Sequence, residues 1–326
     1  MLKLNNNSIV YVACPAKTKT GGPELLHQLV YKLNKLGVNA QMYYYKPNQK
    51  NPVPVEFEKY NNKYTNKIVD NENNVLIIPE TRTEMLYRYK NIRKVIWWLS
   101  IDNFYKRNRE RMENKFRKIR KFFGLFRLYN FEKDSSIFHF CQCYYAVEHL
   151  KEKGITENIA YLSDYLNSAF IEKQDNKMVE KINAVMYNPL KGVEFTKKII
   201  ENAEDIEFKP IRNMTTVQVA EALNKNKVYI DFGEHPGKDR IPREAAISGC
   251  CIITGKKGSA GNNKDIFIPE EFKIEDKDEN INKIILKIRE CINNYEVENK
   301  KFEEYREKIR NEEKIFEEDI KTIFEL

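Results

Sequence analysis

The chain has no C-x-x-C pair, and its six cysteines (Cys14, Cys141, Cys143, Cys250, Cys251 and Cys291) follow no regular framework. Such spacing argues against a disulfide scaffold. No apolar run approaches the ~20 residues needed to cross a bilayer, and no basic segment leading into a long apolar core opens the sequence. These absences point to a reducing, cytoplasmic location, with any membrane contact peripheral, on the inner face of the cell membrane. Acids are also scarce in one stretch. Between Tyr105 and Lys133, eleven lysines and arginines meet three acids (Glu110, Glu113 and Glu132), an excess equal to the net charge of +8 of the whole chain. The basic character is thus one patch, suited to the phosphates of lipid or nucleic acid.

What is present is enough for two packed cores. At 326 residues, 41% apolar and 12% aromatic, the chain exceeds the usual size of one domain and is too apolar to be disordered over most of its length. "SIVYVAC" (Ser8 to Cys14), a glycine loop and "ELLHQLVYKLNKLG" read as strand, loop and helix. In the helix Leu25, Leu26, Leu29, Val30, Leu33 and Leu36 share one face, Pro23 sits near the first turn and Gly37 lies just past the end. "VNAQMYYYK", "NVLIIPE" and "KVIWWLS" add strands, with "TRTEMLYRYKNIR" able to form a helix between the last two, and "SIFHFCQCYYAVEHLKEKGI" adds a strand and a helix ending at Gly154. A polar stretch near residues 168 to 178 reads as a linker.

The pattern then restarts. "INAVMYNP", "IEFKPIR", "KVYIDFG" and "CCIITG" are strands, alternating with helices in "LKGVEFTKKIIENA", "TTVQVAEALNKN" and "IPREAAISG". The expectation is an α/β protein of two Rossmann-like domains, residues 1–168 and 169–300. Residues 301–326 are expected to form an amphipathic helix whose stripe runs from Phe302 through Tyr305, Ile309, Phe316 and Ile320 to Ile323.

In such sheets ligands sit beyond the carboxyl ends of the strands. Three loops and two further strand ends fall there. "TKTGGPE" puts Gly21 and Gly22 at a helix N-terminus, whose free N–H groups favour an anion, although an ordinary tight turn needs the same residues and the loop is neither G-x-G-x-x-G nor a Walker loop. "YNPLKGVEF" places Lys191 and Gly192 where a lysine can neutralise a diphosphate, or simply cap a solvated helix. "PGKDRIPREAAISGCCIITG" follows a strand; there Lys238, Arg240 and Arg243 can hold phosphates and Glu244 can accept two ribose hydroxyls, while a carboxylate in a first helical turn is also stabilising in itself. Glu80, Ser100, Asp102 and Asn103 occupy strand ends in the first domain.

The glycine loop, "NPLKG" and "PREAAISGCCIITG" together resemble the GT-B glycosyltransferases, specifically the large retaining group that uses nucleotide-sugar donors. In that group the pattern is roughly E-G-F-G-L-P-x-x-E-A-x-A-x-G-x-P-V-I. The resemblance implies two domains facing across a cleft, a donor site on the second domain, an acceptor on the first, and C-terminal helices crossing back to the first. Glu244 matches the ribose-holding second glutamate, Ala245 and Gly249 its alanine and glycine, and Lys191 the diphosphate lysine. Asn188 stands where those enzymes usually carry arginine. The resemblance also sets Asn213 and Met214 against the base and makes Asp102 the candidate acceptor base, with a helix N-cap as its plain structural role.

Departures accompany it: Pro236 occupies the register of the first glutamate, so Glu234 or His235 would have to substitute, and Cys250 and Cys251 replace a small residue and proline. "WWLSIDNFY" and "HFCQCYYAVEHLKEKGI" are also similar to segments of glycosyltransferase-like proteins from bacterial surface polysaccharide clusters. The function this implies is transfer of a sugar from a nucleotide diphosphate to a glycan or lipid-linked glycan. No cofactor is expected, the donor being a substrate. A binding protein on the same scaffold without turnover is the alternative.

Other signals read as structural. Asp276-Lys277-Asp278 is formally D-x-D but lies in a charged segment with no strand before it, and His139, Cys141 and Cys143 alternate along a strand without a fourth ligand, so no metal is expected. His27 and His149 read as packing or surface histidines. The basic stretch 105–133 carries no recognisable nucleic-acid module, which makes nucleic acid an unlikely partner; its lysines and arginines with Phe116, Phe122, Phe123, Leu125 and Phe126 suit an anionic membrane surface.

Overall fold

The computed structural model describes residues 2–45, 50–123, 127–132, 134, 137–171 and 180–326, with the side chains of 117, 120, 121, 168 and 169 excepted. Leu125, Phe126 and residues 172–178 of the expected linker lie outside the described residues. The chain divides into two compact units, Met1–Asp164 with Ile315–Leu326, and Tyr165–Lys314.

In the first unit β1 (Val10–Cys14), β2 (Ala40–Tyr44), β3 (Tyr64–Thr65), β4 (Val75–Pro79), β5 (Arg93–Trp98), β6 (Phe138–Cys141) and β7 (Ile159–Tyr161) form one sheet in the order β3-β2-β1-β4-β5-β6-β7. Every neighbouring pair is parallel. Strands covered on both faces need apolar side chains at every position, and β1 and β4 are buried throughout. Helix α1 (Gly21–Lys35) lays Leu25, Leu26, Leu29, Val30 and Leu33 on the core, and Gly37, at φ +84°, lets the chain turn out of it. The segment after β4 forms 3-10 turns over Glu80–Arg88, broken by non-helical angles at Arg82. Helices α2 (Ile101–Glu113), α3 (Lys115–Phe122) and α4 (Tyr144–Glu152) complete the first run. His139 is a core residue: its Nδ1 accepts from Trp98 Nε1 at 3.0 Å, and burial pushes its pKa down to about 4.

The second unit opens with α5 (Ser168–Ile171). β8 (Ile182–Tyr187), β9 (Glu207–Pro210), β10 (Asn226–Asp231) and β11 (Cys251–Thr254) then form an all-parallel sheet in the order β11-β10-β8-β9. Helices α6 (Val193–Glu201), α7 (Thr216–Lys225), α8 (Arg240–Ile247) and α9 (Ile281–Asn293) alternate with or follow these strands. The result is an α/β chain of two Rossmann-like units.

The single stripe expected from Phe302 to Ile323 is divided in two. The tail forms α10 (Tyr295–Lys300), α11 (Glu303–Arg310) and α12 (Glu312–Phe324), interrupted at Asn311. Phe302, Tyr305 and Ile309 join the core of the second unit. Phe316, Ile320, Ile323 and Phe324 are buried in the first, where Phe324 lies edge-on to Phe140 of β6 and Ile323 O accepts from Leu2 N at 2.7 Å. A spacing of seven keeps side chains on one face only while the helix runs on, and the break at Asn311 lets the two halves serve two cores.

Candidate functional site

The order β11-β10-β8-β9 fixes where the second unit can bind something. From β8 the chain crosses to β9 on one side and then to β10 on the other, so the loops after β8 and β10 leave the sheet in opposite directions and open a crevice at its carboxyl edge. Those loops are Asn188–Gly192 and Phe232–Asp239. Their backbones touch: Gly192 has φ +60°, and a Cβ on it would stand 2.2 Å from Phe232 O. Only glycine fits there.

Charged groups are packed between the loops. Asp231 accepts from Tyr229 Oη at 2.7 Å and from Gly233 N at 2.9 Å. His235, fully buried at φ +43°, sets Nε2 3.4 Å from Asp231 Oδ1 and Nδ1 3.2 Å from Asp239 Oδ2. Lys191 donates Nζ to Asp239 Oδ2 at 2.7 Å. Behind the loop, Gly258 comes so close that a Cβ would stand 2.1 Å from His235 O, and Ser259 Oγ donates to Gly237 O at 2.6 Å. Burial alone would lower the pKa of His235, but the two carboxylates outweigh it and raise it to about 9. Burial likewise opposes ionisation of Asp239, yet His235 and Lys191 hold it below its ordinary value.

The stabilisation by His235 is complete below its ordinary pKa of 6.5 and is lost as pH rises through about 9. The second unit is expected to lose about 3 kcal/mol over that interval, each pKa unit being worth 1.36 kcal/mol. Urea unfolding at stepped pH checks it, with His235→Asn expected to flatten the profile; an unchanged profile in the variant would rule out His235 as its source.

Lys191 stands at the crevice, with Asn188 beside it accepting Leu190 N at 3.0 Å. Lys238 and Arg243 do not offer their charges to solvent: Glu312 takes both, Lys238 Nζ at 2.9 Å and Arg243 Nη1 at 2.7 Å, and Arg243 is fully buried. Arg240, half-buried, is the first residue of α8. Glu244 is its fifth, after the N-cap Asp239, so it is not in the first turn and the helix-dipole explanation for a carboxylate does not apply to it. Glu234 is exposed and pairs with Lys257 at 3.1 Å. Asn213, at φ +54°, and the exposed Met214 lie in the loop after β9, followed by the Thr215 capping box.

Gly21, Gly22 and Asp102 belong to the first unit. The two glycines open α1 after Thr20. Asp102 is exposed on the first turn of α2, in an open groove with Tyr105, Lys106, Arg109 and Glu110; the cap is Ser100, whose Oγ accepts Asn103 N at 3.2 Å. Glu80 is buried, accepts Leu99 N at 3.1 Å, and burial raises its pKa to about 8. Asp276 and Asp278 are engaged with Lys257 and Lys198, each at 2.7 Å, and no group of three metal-ligating side chains occurs among the described residues. Asp231, Asp239 and Glu312 escaped sequence reasoning. A carboxylate ending the strand "KVYID" was the one signal that pointed to any of them.

No protein-family model and no curated protein matches the sequence. Solved structures do. HepE from Anabaena, in complex with UDP-glucose, shares 10% identity over 98% of this chain and 100% of its own, with a TM-score of 0.59. A sucrose-phosphate synthase from Thermosynechococcus elongatus gives 10% identity, 97% and 98% coverage, and a TM-score of 0.61. The fold is GT-B. TarM gives 16% identity and a TM-score of 0.50 over 74% of this chain, which spans about half (52%) of TarM. Lys191 lies at the carboxyl edge of the second sheet, where the crossover reversal leaves a crevice.

Proposed function

We propose that the protein is a glycosyltransferase that binds a nucleotide diphosphate sugar at the carboxyl edge of the second sheet and transfers the sugar to a hydroxyl of a glycan or lipid-linked glycan. The observation that carries this reading is the close approach of the two switch-point loops, with Lys191 at their junction held by a carboxylate it can exchange. On binding, the diphosphate displaces Asp239 from Lys191, and Asp239 keeps His235 as its partner. Arg240 adds a second cation near the same edge, and Glu244 takes the ribose hydroxyls. Asn213 and Met214 flank the base.

In the reaction the acceptor oxygen bonds to the anomeric carbon, the bond from that carbon to the phosphate oxygen breaks, and the nucleoside diphosphate leaves with the bonding pair. Lysine and arginine offset the charge that grows on the leaving group, so the reading requires no metal. Asp102 is assigned the proton of the acceptor hydroxyl, and Glu234 a contact to the transferred sugar. The UDP-glucose complex of HepE and the UDP complex of S. aureus TarM make uridine diphosphate sugars the first donors to try. Synthesis of a bacterial surface polysaccharide, with retention at the anomeric carbon, is the finer form of the proposal. A second reading, donor binding without turnover, is favoured by Pro236 at the register of the first glutamate and by the pairing of Glu234 with Lys257.

Thermal unfolding with a panel of nucleoside diphosphates and their sugars tests the site. A true donor at ~100 times its dissociation constant adds ~2.7 kcal/mol to the wild type and nothing to Lys191→Ala or Glu244→Ala. Absence of any such ligand would remove the proposal. Release of nucleoside diphosphate in the presence of acceptor separates enzyme from binding protein.

A further inference from the structure

Helix α3 has no interior to face. Among its described side chains none is buried, and Phe116, Ile119 and Phe122 are 80%, 56% and 87% exposed, with Phe123 just beyond at 68%. At 100° per residue these positions span about 120° of the helix surface, one continuous apolar stripe. The helix sequence "KFRKIRKF" has five basic residues and no acid, and neither Lys115 nor Lys118 is paired with a carboxylate among the described residues. An eight-residue helix is marginal in water without a surface to pack on.

The preceding helix shows the contrast. α2 is anchored to the first unit through Ile101, Phe104 and the buried Arg111, which donates to Thr81 O and pairs with Glu84 at 3.0 Å. At Asn114 the backbone turns extended (φ −70°, ψ 115°), and α3 starts from there with its apolar side chains exposed, Phe122 meeting Phe123 edge-on at 5.4 Å between ring centroids.

We propose that α3 and Phe123 dock on an anionic lipid bilayer, the phenylalanines and Ile119 entering the acyl boundary while Lys115 and Lys118 meet the head groups. Apolar insertion and positive charge are both needed for this surface, and both are concentrated in one short segment. A nucleic acid would account for the charge but leaves four adjacent apolar side chains, three of them phenylalanines, without a reason to share a stripe. The inference is independent of the donor-site reading, since it concerns a surface of the first unit alone.

The test is co-sedimentation of the full chain with vesicles of phosphatidylcholine alone and with about 30% phosphatidylserine, at low and physiological salt. The wild type is expected to bind the anionic vesicles at least about tenfold more tightly than the neutral ones. Phe116→Ser/Phe122→Ser/Phe123→Ser and Lys115→Glu/Lys118→Glu are each expected to lose about tenfold or more of that binding, with unchanged unfolding temperatures because neither set touches a core. Equal binding to neutral vesicles, no binding to anionic ones, or wild-type binding by both variants would each overturn the proposal. So would preferential capture by a DNA or RNA oligomer that the phenylalanine substitutions leave intact, which would make nucleic acid the occupant.

Discussion

Gly192→Ala is expected to destabilise the second unit by about 3–5 kcal/mol and to abolish any stabilisation by a nucleotide. Two costs combine. At φ +60° a side chain brings roughly 1–2 kcal/mol of backbone strain, and the new methyl carbon would stand 2.2 Å from Phe232 O and 2.4 Å from its carbonyl carbon. Those atoms are backbone, so no rotamer change relieves the clash; the loop after β10 must move, and with it Gly233, His235 and Asp239. Gly37→Ala is the control. It has the same unfavourable sign of φ, +84°, but nothing lies within 4 Å of the added carbon, so about 1 kcal/mol of strain is all it should show. Urea denaturation of the two variants measures the difference, and equal losses would mean that the loops do not touch as described.

Glu312→Ala is expected to cost a similar amount, about 3–5 kcal/mol, for an electrostatic reason. Glu312 is the shared partner of Lys238 and Arg243, and all three side chains are less than one-tenth exposed. Removing the carboxylate takes from two cations the partner they share, in a place with little water. Removing all three charges does not: Lys238→Met/Arg243→Leu/Glu312→Leu is expected to recover most of the loss, because desolvating an ion triad costs about as much as its attraction returns. Chemical denaturation of the single and triple variants decides the matter. A triple variant as unstable as the single one would mean that something other than the lost charge compensation causes the loss. The same cluster bears on the donor site, since a phosphate reaching Lys238 or Arg243 would first have to displace Glu312.

Much of the fold was legible because buried parallel strands cannot hide their composition. "SIVYVAC", "NVLIIPE" and "CCIITG" are apolar without alternation, and β1, β4 and β11 are the strands buried along their whole length. The two-residue edge strand β3, Tyr64–Thr65, has no such signature because one residue is exposed and the other only half-buried. In the candidate site, Lys191 and Gly192 were visible as a loop between a strand and a helix, whereas the fate of Lys238 and Arg243 was not. Their partner lies 69 residues downstream of Arg243, and a pairing at that separation leaves no local pattern. The charge of "PGKDRIPREAA" therefore has two destinations: one part faces the crevice, and the other holds the start of the last helix. The stripe from Phe302 to Ile323 misled for a related reason, since helical periodicity reports a face and not which core that face meets.

That divided tail also sets an order of events during synthesis. The first unit has its strands by residue 161, yet Phe140 and Leu2 wait for Phe324 and Ile323. A ribosome must therefore deliver the whole second unit before the first can close its last apolar seam. Until then the nascent chain carries an open hydrophobic edge, a natural handhold for a chaperone.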